Sequence, residues 1–189
     1  MSGISFGGFL IKRVLDDVAR VLPTIKNAAT LSPIPGFRTW LESLIDVEGA
    51  AVLTATEQRA LEDKLGVQSE DGESLSALLA SPWQRDENSR EALRAPLIRL
   101  AAKYLLSARD SSDEPIDRVA RFHLSNGARV ERLNFLADNS HKGMQQSFGM
   151  MVNYRYKPGD IEANHEAFKG EKRIAASNAV KSLLPRRKR

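Results

Sequence analysis

The chain has 189 residues, of which 42% are hydrophobic and 28% are charged, a composition that is ordinary for a globular domain. It contains no cysteine, which excludes disulfides, thiolate metal sites and cysteine nucleophiles. The formal net charge of +4 is matched by the four cations at residues 186–189, so the rest of the chain is neutral and lacks the basic surplus typical of a nucleic-acid binder.

Targeting signals are not indicated by the pattern either. No apolar run approaches the ~20 residues of a membrane span, and the start MSGISFGGFLIKRV lacks the basic segment and long apolar core of a secretory leader. With the absence of cysteine, this predicts a cytoplasmic protein that binds neither a membrane nor nucleic acid. Residues 185–189, PRRKR, are expected to form a basic disordered tail.

The first predicted elements are a turn, a helix and a strand. After Gly7 and Gly8, apolar residues recur at helical spacing as far as Leu22, and Pro23 ends the helix. Residues 24–31, TIKNAATL, are typical of a short buried strand. This order is the second half of a βαβ unit, whose first strand would precede the turn.

The middle of the chain is predicted to be helical. Residues 37–45 and 74–81 have the composition and spacing of short helices. The capping box formed by Thr54 and Glu57 predicts the start of another helix, which Gly66 should end.

A longer helix is predicted next. Asn88 and Glu91 have the spacing of a second capping box, ahead of an apolar period that continues to residue 109. Pro96 lies inside this pattern and is expected to kink or split the helix. Residues 110–115, DSSDEP, are predicted to form a loop.

The last third of the chain changes its period. Residues 118–124 and 128–137 are predicted strands that flank Asn126-Gly127, the strongest short signal for a β-hairpin. Residues 142–156 and 161–184 are predicted helices, joined by the turn KPGD. The chain is therefore expected to have a mixed α/β (α+β) fold that is helix-rich, with a few strands and one β-hairpin.

Two backbone features could carry chemistry. The turn at residues 2–8, SGISFGG, leads into a helix whose free N–H groups suit an anion, although a plain loop and helix cap is the commoner explanation. Ser32 stands at the end of a predicted strand, where Pro33 and Pro35 stiffen the backbone. Ligands bind at that edge of open α/β sheets. The alternative interpretation of the serine and prolines is a simple strand terminator.

The chain has three histidines, and no two of them have metal-ligand spacing, so we predict no metal site. His141 and His165 stand among polar residues and are interpreted as structural or solvated. His123 lies in a predicted strand, just before the predicted hairpin turn. Ser32 and His123 are far apart in sequence, and only the fold can show whether they meet.

Three segments carry a resemblance to a known family: LSPIPGF at residues 31–37, FHLSNGA at 122–128 and MVNYRY at 151–156. In this order and at these gaps they resemble the malonyl-CoA decarboxylase family, and the similarity extends from about Gly3 to Leu184. The resemblance implies that residues 1–184 are the C-terminal part of the catalytic domain, a partial GNAT-like acyltransferase fold. In that family an N-terminal helical domain and the opening strands of the catalytic domain come first.

The resemblance also implies a reaction and its residues. The family converts malonyl-CoA to acetyl-CoA and CO2, in fatty-acid metabolism, without a metal or an organic cofactor. Ser32 matches the catalytic serine, described as a proton acceptor, and His123 matches the catalytic histidine, described as a proton donor. Tyr156 is expected to line the same site. The family's CoA-binding turn matches Ser2, Gly3, Ile4, Ser5, Phe6, Gly7 and Gly8.

The partners implied are malonyl-CoA and acetyl-CoA, with a homo-oligomer or an association with the N-terminal region. One alternative is a non-catalytic CoA-binding or subunit-interaction remnant of that enzyme. Another alternative is a nucleic-acid or membrane-surface binder, which only the basic residues 186–189 support. Restored activity on adding the N-terminal half would separate the first two hypotheses. Salt-dependent DNA binding that is lost with the tail would favour the third.

Overall fold

The computed structural model describes residues 28–66 and 73–185, preceded by residues 13–14, 17–18, 20–22 and 24–25. The glycine-containing turn at residues 2–8 and the cations at residues 186–189 lie outside the described residues. The described positions 13–14, 17–18 and 20–21 are helical, as expected for the first helix.

Helices dominate the described residues, and three short strands form a sheet. In chain order the elements are β1 (Ala28–Pro33), α1 (Phe37–Glu48), α2 (Ala55–Leu65), α3 (Glu73–Ala80), α4 (Glu87–Ser107), α5 (Arg118–Ser125), β2 (Arg129–Asn134), α6 (His141–Ser147), β3 (Met151–Tyr156), α7 (Ile161–Glu171) and α8 (Asn178–Lys181). Short 3-10 turns cover Gly49–Val52, Trp83–Arg85 and Pro158–Asp160. The expected helix-rich, mixed fold is confirmed at this level.

The sheet places the serine on its covered face. β3 lies in the centre and pairs antiparallel with β1 on one side and β2 on the other. Opposite residues of antiparallel strands project to the same face, so the register sets Thr30 beside Tyr154 and Ser32 beside Val152. Ser32 is buried, whereas its neighbour Leu31 on the other face is 55% exposed. The covered face is therefore the one that carries Ser32.

A continuous apolar core joins the helices to this sheet. It includes buried residues of α1, α2, α4 and α5 and of the strands β2 and β3, among them Phe37, Leu61, Leu97, Tyr104, Leu124, Val130 and Tyr154. A partly buried ion pair ties α2 to α4, since Arg99 donates from Nε to Oε1 of Glu57 at 2.7 Å and from a terminal nitrogen to Oε2 at 2.6 Å. The helical half thus forms a firm support for the sheet.

The predicted start and end of α2 are confirmed. The Thr54 hydroxyl accepts the Glu57 N–H, and the Glu57 carboxylate accepts the Thr54 N–H at 2.8 Å. Gly66 follows the helix with a φ of 63°. Both features are the capping box and glycine stop that the sequence predicts.

Two predictions for α4 are wrong in detail. The N-cap is Asp86, whose carboxylate accepts the Ser89 N–H at 2.8 Å, so Asn88 and Glu91 form no capping box. Glu91 instead pairs with Lys64 of α2. Pro96 does not split the helix, which runs unbroken from Glu87 to Ser107. Packing of this helix in the core outweighs the one backbone hydrogen bond that a proline removes.

The first strand is displaced from its predicted position. Thr24 and Ile25 are in a turn and an irregular segment, and β1 begins at Ala28 and continues through Pro33. Because β1 pairs antiparallel with β3, the sheet of the described residues shows no βαβ unit.

The predicted β-hairpin is wrong, because residues 118–125 form helix α5. The Asp117 carboxylate accepts the Ala120 N–H at 2.7 Å and caps this helix. Asn126 and Gly127 then end it, as Gly127 has a φ of 80° and donates its N–H to the Leu124 carbonyl at 3.0 Å. Asn-Gly therefore acts as a helix stop, the other common use of a residue with positive φ.

The predicted helix at residues 142–156 is half wrong. Helix α6 ends at Ser147, and Phe148 and Gly149, with φ of 52° and 74°, turn the chain into β3. Burial alternates along β3, which is the period of a strand. This correction moves Tyr156 from a helix to the central strand of the sheet.

The predicted helix at residues 161–184 is interrupted. Helix α7 ends at Glu171 and is followed by Lys172, which has a φ of 52°. Helix α8 starts only after Ser177, whose hydroxyl accepts the Val180 N–H at 3.2 Å. Among the described residues, none of the helices combines the length and apolar character that crossing a membrane requires.

Candidate active site

Ser32 and His123 meet on the covered face of the sheet. The Ser32 hydroxyl and Nε2 of His123 lie 3.2 Å apart, although 91 residues separate them in the chain. β1 fixes the serine through its pairing with β3, and α5 presents the histidine from its last turn. Both side chains are buried, with 6% and 7% of the residue exposed. The fold thus joins the two residues that the sequence singles out.

The other ring nitrogen of His123 is also occupied. Nδ1 lies 2.7 Å from the Tyr156 hydroxyl at the end of β3. The imidazole stacks on the Tyr154 ring, with centroids 4.4 Å apart and an interplanar angle of 20°. The Thr30 hydroxyl lies 2.9 Å from the Ser32 hydroxyl. These contacts hold the ring in one orientation and form a chain of hydrogen-bonding groups from β1 through α5 to β3.

Burial keeps this histidine neutral. Desolvation lowers the pKa of His123 to about 4, so the imidazole is uncharged at neutral pH and carries one N–H. Burial also raises the pKa of Tyr156 far above its ordinary value, so the phenol keeps its proton. A protonated phenol beside a neutral imidazole can donate to Nδ1, which leaves the N–H on Nε2, directed at Ser32.

A second buried polar group adjoins the pair. Asp117 is 2% exposed, and desolvation raises the pKa of its carboxyl to about 6, despite the helix N–H groups that it accepts. The hydroxyl of Tyr104 interacts with this carboxyl. Neither Tyr104 nor Asp117 was expected from the sequence, although an aspartate three residues before the apolar face of α5 has the spacing of an N-cap.

The buried carboxyl and imidazole predict opposite effects of pH on stability. The folded chain keeps the Asp117 proton up to about pH 6, whereas an unfolded aspartate loses it near pH 3.8, so this group makes stability fall as pH rises through that range. His123 titrates at about 4 when folded and 6.5 when unfolded, so its contribution makes stability rise with pH. In the native chain the two contributions oppose each other.

Single substitutions should separate them. Relative to the native chain, we expect Asp117→Asn to gain roughly 2 kcal/mol of unfolding free energy between pH 4 and 6.5, and His123→Gln to lose a similar amount. Urea unfolding at several pH values measures both differences. Two differences of the same sign, or two flat ones, would contradict the assignment.

A cleft of about 640 Å³ lies on the far side of α5, and it is lined by Glu114, Arg118, Arg121, Phe122, Ser125 and Lys169. His123 and Ser32 do not line it. The helix therefore separates this cleft from the serine–histidine pair. In the described part of the chain, no group of three or more histidine, aspartate or glutamate residues is arranged to hold a metal ion.

The described residues include only part of the site predicted from the sequence. The structure brings Ser32, His123 and Tyr156 together, while the predicted CoA turn at residues 2–8 lies outside the described residues. Thr30 and Tyr154 were missed, and the signal for both is simple alternation, because each lies two residues before a singled-out side chain on the same face of its strand.

Comparison with known proteins shows the family of this chain. The profile of the malonyl-CoA decarboxylase C-terminal domain matches residues 1–189. The mitochondrial malonyl-CoA decarboxylase of Rattus norvegicus is 38% identical over 97% of this chain, and that of Anser anser anser is 37% identical over 97%. The chain spans about two fifths of the length of these relatives, 38% and 37% respectively.

Solved structures give the same answer. The crystal structure of malonyl-CoA decarboxylase from Rhodopseudomonas palustris matches with a TM-score of 0.80 and 45% identity, over 97% of this chain and 39% of that one. The structure from Agrobacterium vitis matches with a TM-score of 0.80 and 44% identity, over 98% of this chain and 42% of that one. This chain belongs to the malonyl-CoA decarboxylase family and corresponds to its C-terminal domain.

Proposed function

We propose that this chain carries the catalytic residues of a malonyl-CoA decarboxylase, which converts malonyl-CoA to acetyl-CoA and CO2. The observation that supports this most is the contact between Ser32 and His123 at 3.2 Å, with Tyr156 on the other imidazole nitrogen. Family membership supports the substrate. The residues of the turn at 2–8 would bind the CoA pyrophosphate. The sheet and α5 would be part of a GNAT-like fold. The reaction would need no separate cofactor, because CoA enters as part of the substrate.

The reaction breaks one carbon–carbon bond and consumes one proton. The bond between the carboxylate and the α-carbon of malonyl-CoA breaks, and CO2 leaves. The electron pair of that bond stays on the thioester fragment and forms an enolate. The α-carbon then takes a proton to give acetyl-CoA. The protein must therefore stabilise charge on the thioester oxygen and deliver a proton to carbon.

The neutral imidazole fits that task. Tyr156 donates to Nδ1 of His123, so the Nε2–H of His123 donates to the Ser32 oxygen. This leaves the serine proton free to point at the substrate. As the enolate forms, Ser32 gives its proton to the α-carbon and takes the Nε2 proton of His123, which makes the serine the acceptor and the histidine the donor. The Tyr156 proton moves onto Nδ1 in the same step, so the imidazole stays neutral, and water then restores the proton on the phenol.

Acetyl-CoA formation from malonyl-CoA tests the proposal. It is measured with the 189-residue chain alone and with the chain joined to the region that precedes it in the relatives. In whichever preparation is active, we expect Ser32→Ala to lower kcat by about a hundredfold or more. Ser43→Ala is the control, because Ser43 is an exposed residue of α1 whose hydroxyl only donates to the Thr39 carbonyl. A loss below threefold for Ser32→Ala removes the serine from the mechanism.

A second candidate is a non-catalytic remnant that binds CoA or docks on a separate N-terminal half. Exposed apolar side chains favour an interface of this kind, notably Leu31 at 55%, Val47 at 85% and Phe122 at 49%. Inactivity of both preparations, each shown to be folded, would overturn the decarboxylase proposal and favour this one. For the decarboxylase itself, we propose that the active form is a homo-oligomer or a complex with the N-terminal region.

A further inference from the structure

The turn after Ser32 rests on a buried tyrosine of another helix. Tyr104, in the last turn of α4, is 2% exposed. Its hydroxyl donates to the Pro35 carbonyl at 3.2 Å, three residues beyond the serine. A Cβ at Gly36 would lie 3.1 Å from the same oxygen, so the hydroxyl sits tightly against this turn. Tyr104 therefore fixes where β1 ends.

The helix that carries His123 begins at the same place. The carboxyl of Asp117 caps α5, with Oδ1 accepting the Ala120 N–H at 2.7 Å. The Tyr104 hydroxyl lies within electrostatic range of this carboxyl. A single hydroxyl thus adjoins both the turn that follows Ser32 and the residue that starts the histidine helix.

A third element reaches this point. The hydroxyl of Tyr154, whose ring stacks on His123, is buried and within electrostatic range of Asp117 and Tyr104. Neither the Tyr154 hydroxyl nor Oδ2 of Asp117 makes a close hydrogen bond among the described residues. Three buried polar side chains, from α4, from the start of α5 and from β3, therefore lie near one another beside the serine–histidine pair.

We propose that Tyr104 and Asp117 are positioning residues, which set the distance and angle between the Ser32 hydroxyl and the His123 imidazole. The turn that follows Ser32 contacts Tyr104, and Tyr104 lies close to Asp117. Asp117 starts helix α5, which carries His123, and His123 contacts Ser32. A shift of the turn or of the helix start would open the contact of 3.2 Å between serine and histidine.

The kinetic consequence rests on the proposed decarboxylase function, whereas the geometric consequence does not. Misplacing a catalytic pair by a fraction of an ångström lowers the rate of the chemical step more than substrate binding. We therefore expect Tyr104→Phe, which keeps the packed ring, to lower kcat about tenfold and to leave KM within about twofold.

The capping residue allows a conservative rescue. Asp117→Asn keeps an oxygen for the Ala120 N–H and an amide that can donate to Tyr104, so we expect kcat to stay within about threefold of the native value. Asp117→Ala should lose about tenfold. Asp86→Ala is the matched control, since Asp86 caps α4 in the same way at the opposite end of that helix from Tyr104. It should lower stability without changing kcat of the folded protein.

Nitrogen NMR of histidine-labelled chain tests the geometry without needing activity. The chain has only three histidines, so the His123 signals can be assigned by their loss in His123→Gln. We expect Tyr104→Phe and Asp117→Ala to shift the Nε2 and Nδ1 signals of His123, and Asp117→Asn and Asp86→Ala to leave them unchanged. If Tyr104→Phe and Asp117→Ala leave these signals unchanged in a folded chain, the positioning role is wrong, whether or not the chain decarboxylates malonyl-CoA. Shifted signals, together with inactivity of both folded preparations, would uphold the positioning role and reject the decarboxylase.

Discussion

His123→Gln is expected to lower kcat for acetyl-CoA formation by at least about a hundredfold. Glutamine preserves much of the volume and can still hydrogen-bond Ser32, but it cannot supply a proton. In the native chain the ring is neutral, is oriented by Tyr156 at 2.7 Å, and lies 3.2 Å from the serine, so proton delivery depends on it. Steady-state kinetics of the active preparation measures the loss.

The matched control is His141→Gln. His141 is an exposed residue at the start of α6. Its replacement should leave kcat unchanged. A His123→Gln enzyme that keeps more than a third of the native kcat would show that the proton reaches the α-carbon by another route.

Gly127→Ala is expected to destabilise the fold by at least about 3 kcal/mol. Gly127 has a φ of 80°, which is strained for any residue with a side chain. A Cβ there would also lie 2.2 Å from the Ile161 carbonyl oxygen, so the backbone at the start of α7 would have to move. Urea unfolding of the purified chain measures the change in the free energy of unfolding.

Gly66→Ala separates the cost of a positive φ from the cost of the steric clash. Gly66 has a φ of 63°, but a Cβ at that position would meet nothing within 4 Å. Only the conformational cost remains, about 1 kcal/mol. Equal losses for the two variants would show that the close approach between Gly127 and Ile161 is relieved cheaply, and that α7 does not hold the end of α5 in place.

Local signals in the sequence predicted the helical half well and the sheet poorly. The Thr54–Glu57 capping box and the Gly66 stop are satisfied within a few residues, so neighbouring residues alone define them. Asn126-Gly127 is different, because the same pair can turn a hairpin or end a helix. The outcome depends on Asp117 capping α5 and on burial of one face of that helix, which are tertiary effects.

The candidate site shows the same division. Pro33 and the strand end singled out Ser32, and the family resemblance paired it with His123, but nothing local predicts a contact between residues 91 positions apart. Tyr104 and Asp117 lie on elements whose packing the sequence does not reveal. From the surrounding sequence, Tyr104 would be interpreted as a core aromatic residue and Asp117 as a helix cap. Only the fold shows that both lie close to the turn after the serine.

The most direct test of the central claim is a double-mutant cycle on kcat for acetyl-CoA formation, with Ser32→Ala, His123→Gln and both together. If the two residues deliver one proton as a unit, the double variant should be no slower than the slower single variant. If instead the two losses multiply, Ser32 and His123 act independently, and the proton relay through their 3.2 Å contact is wrong.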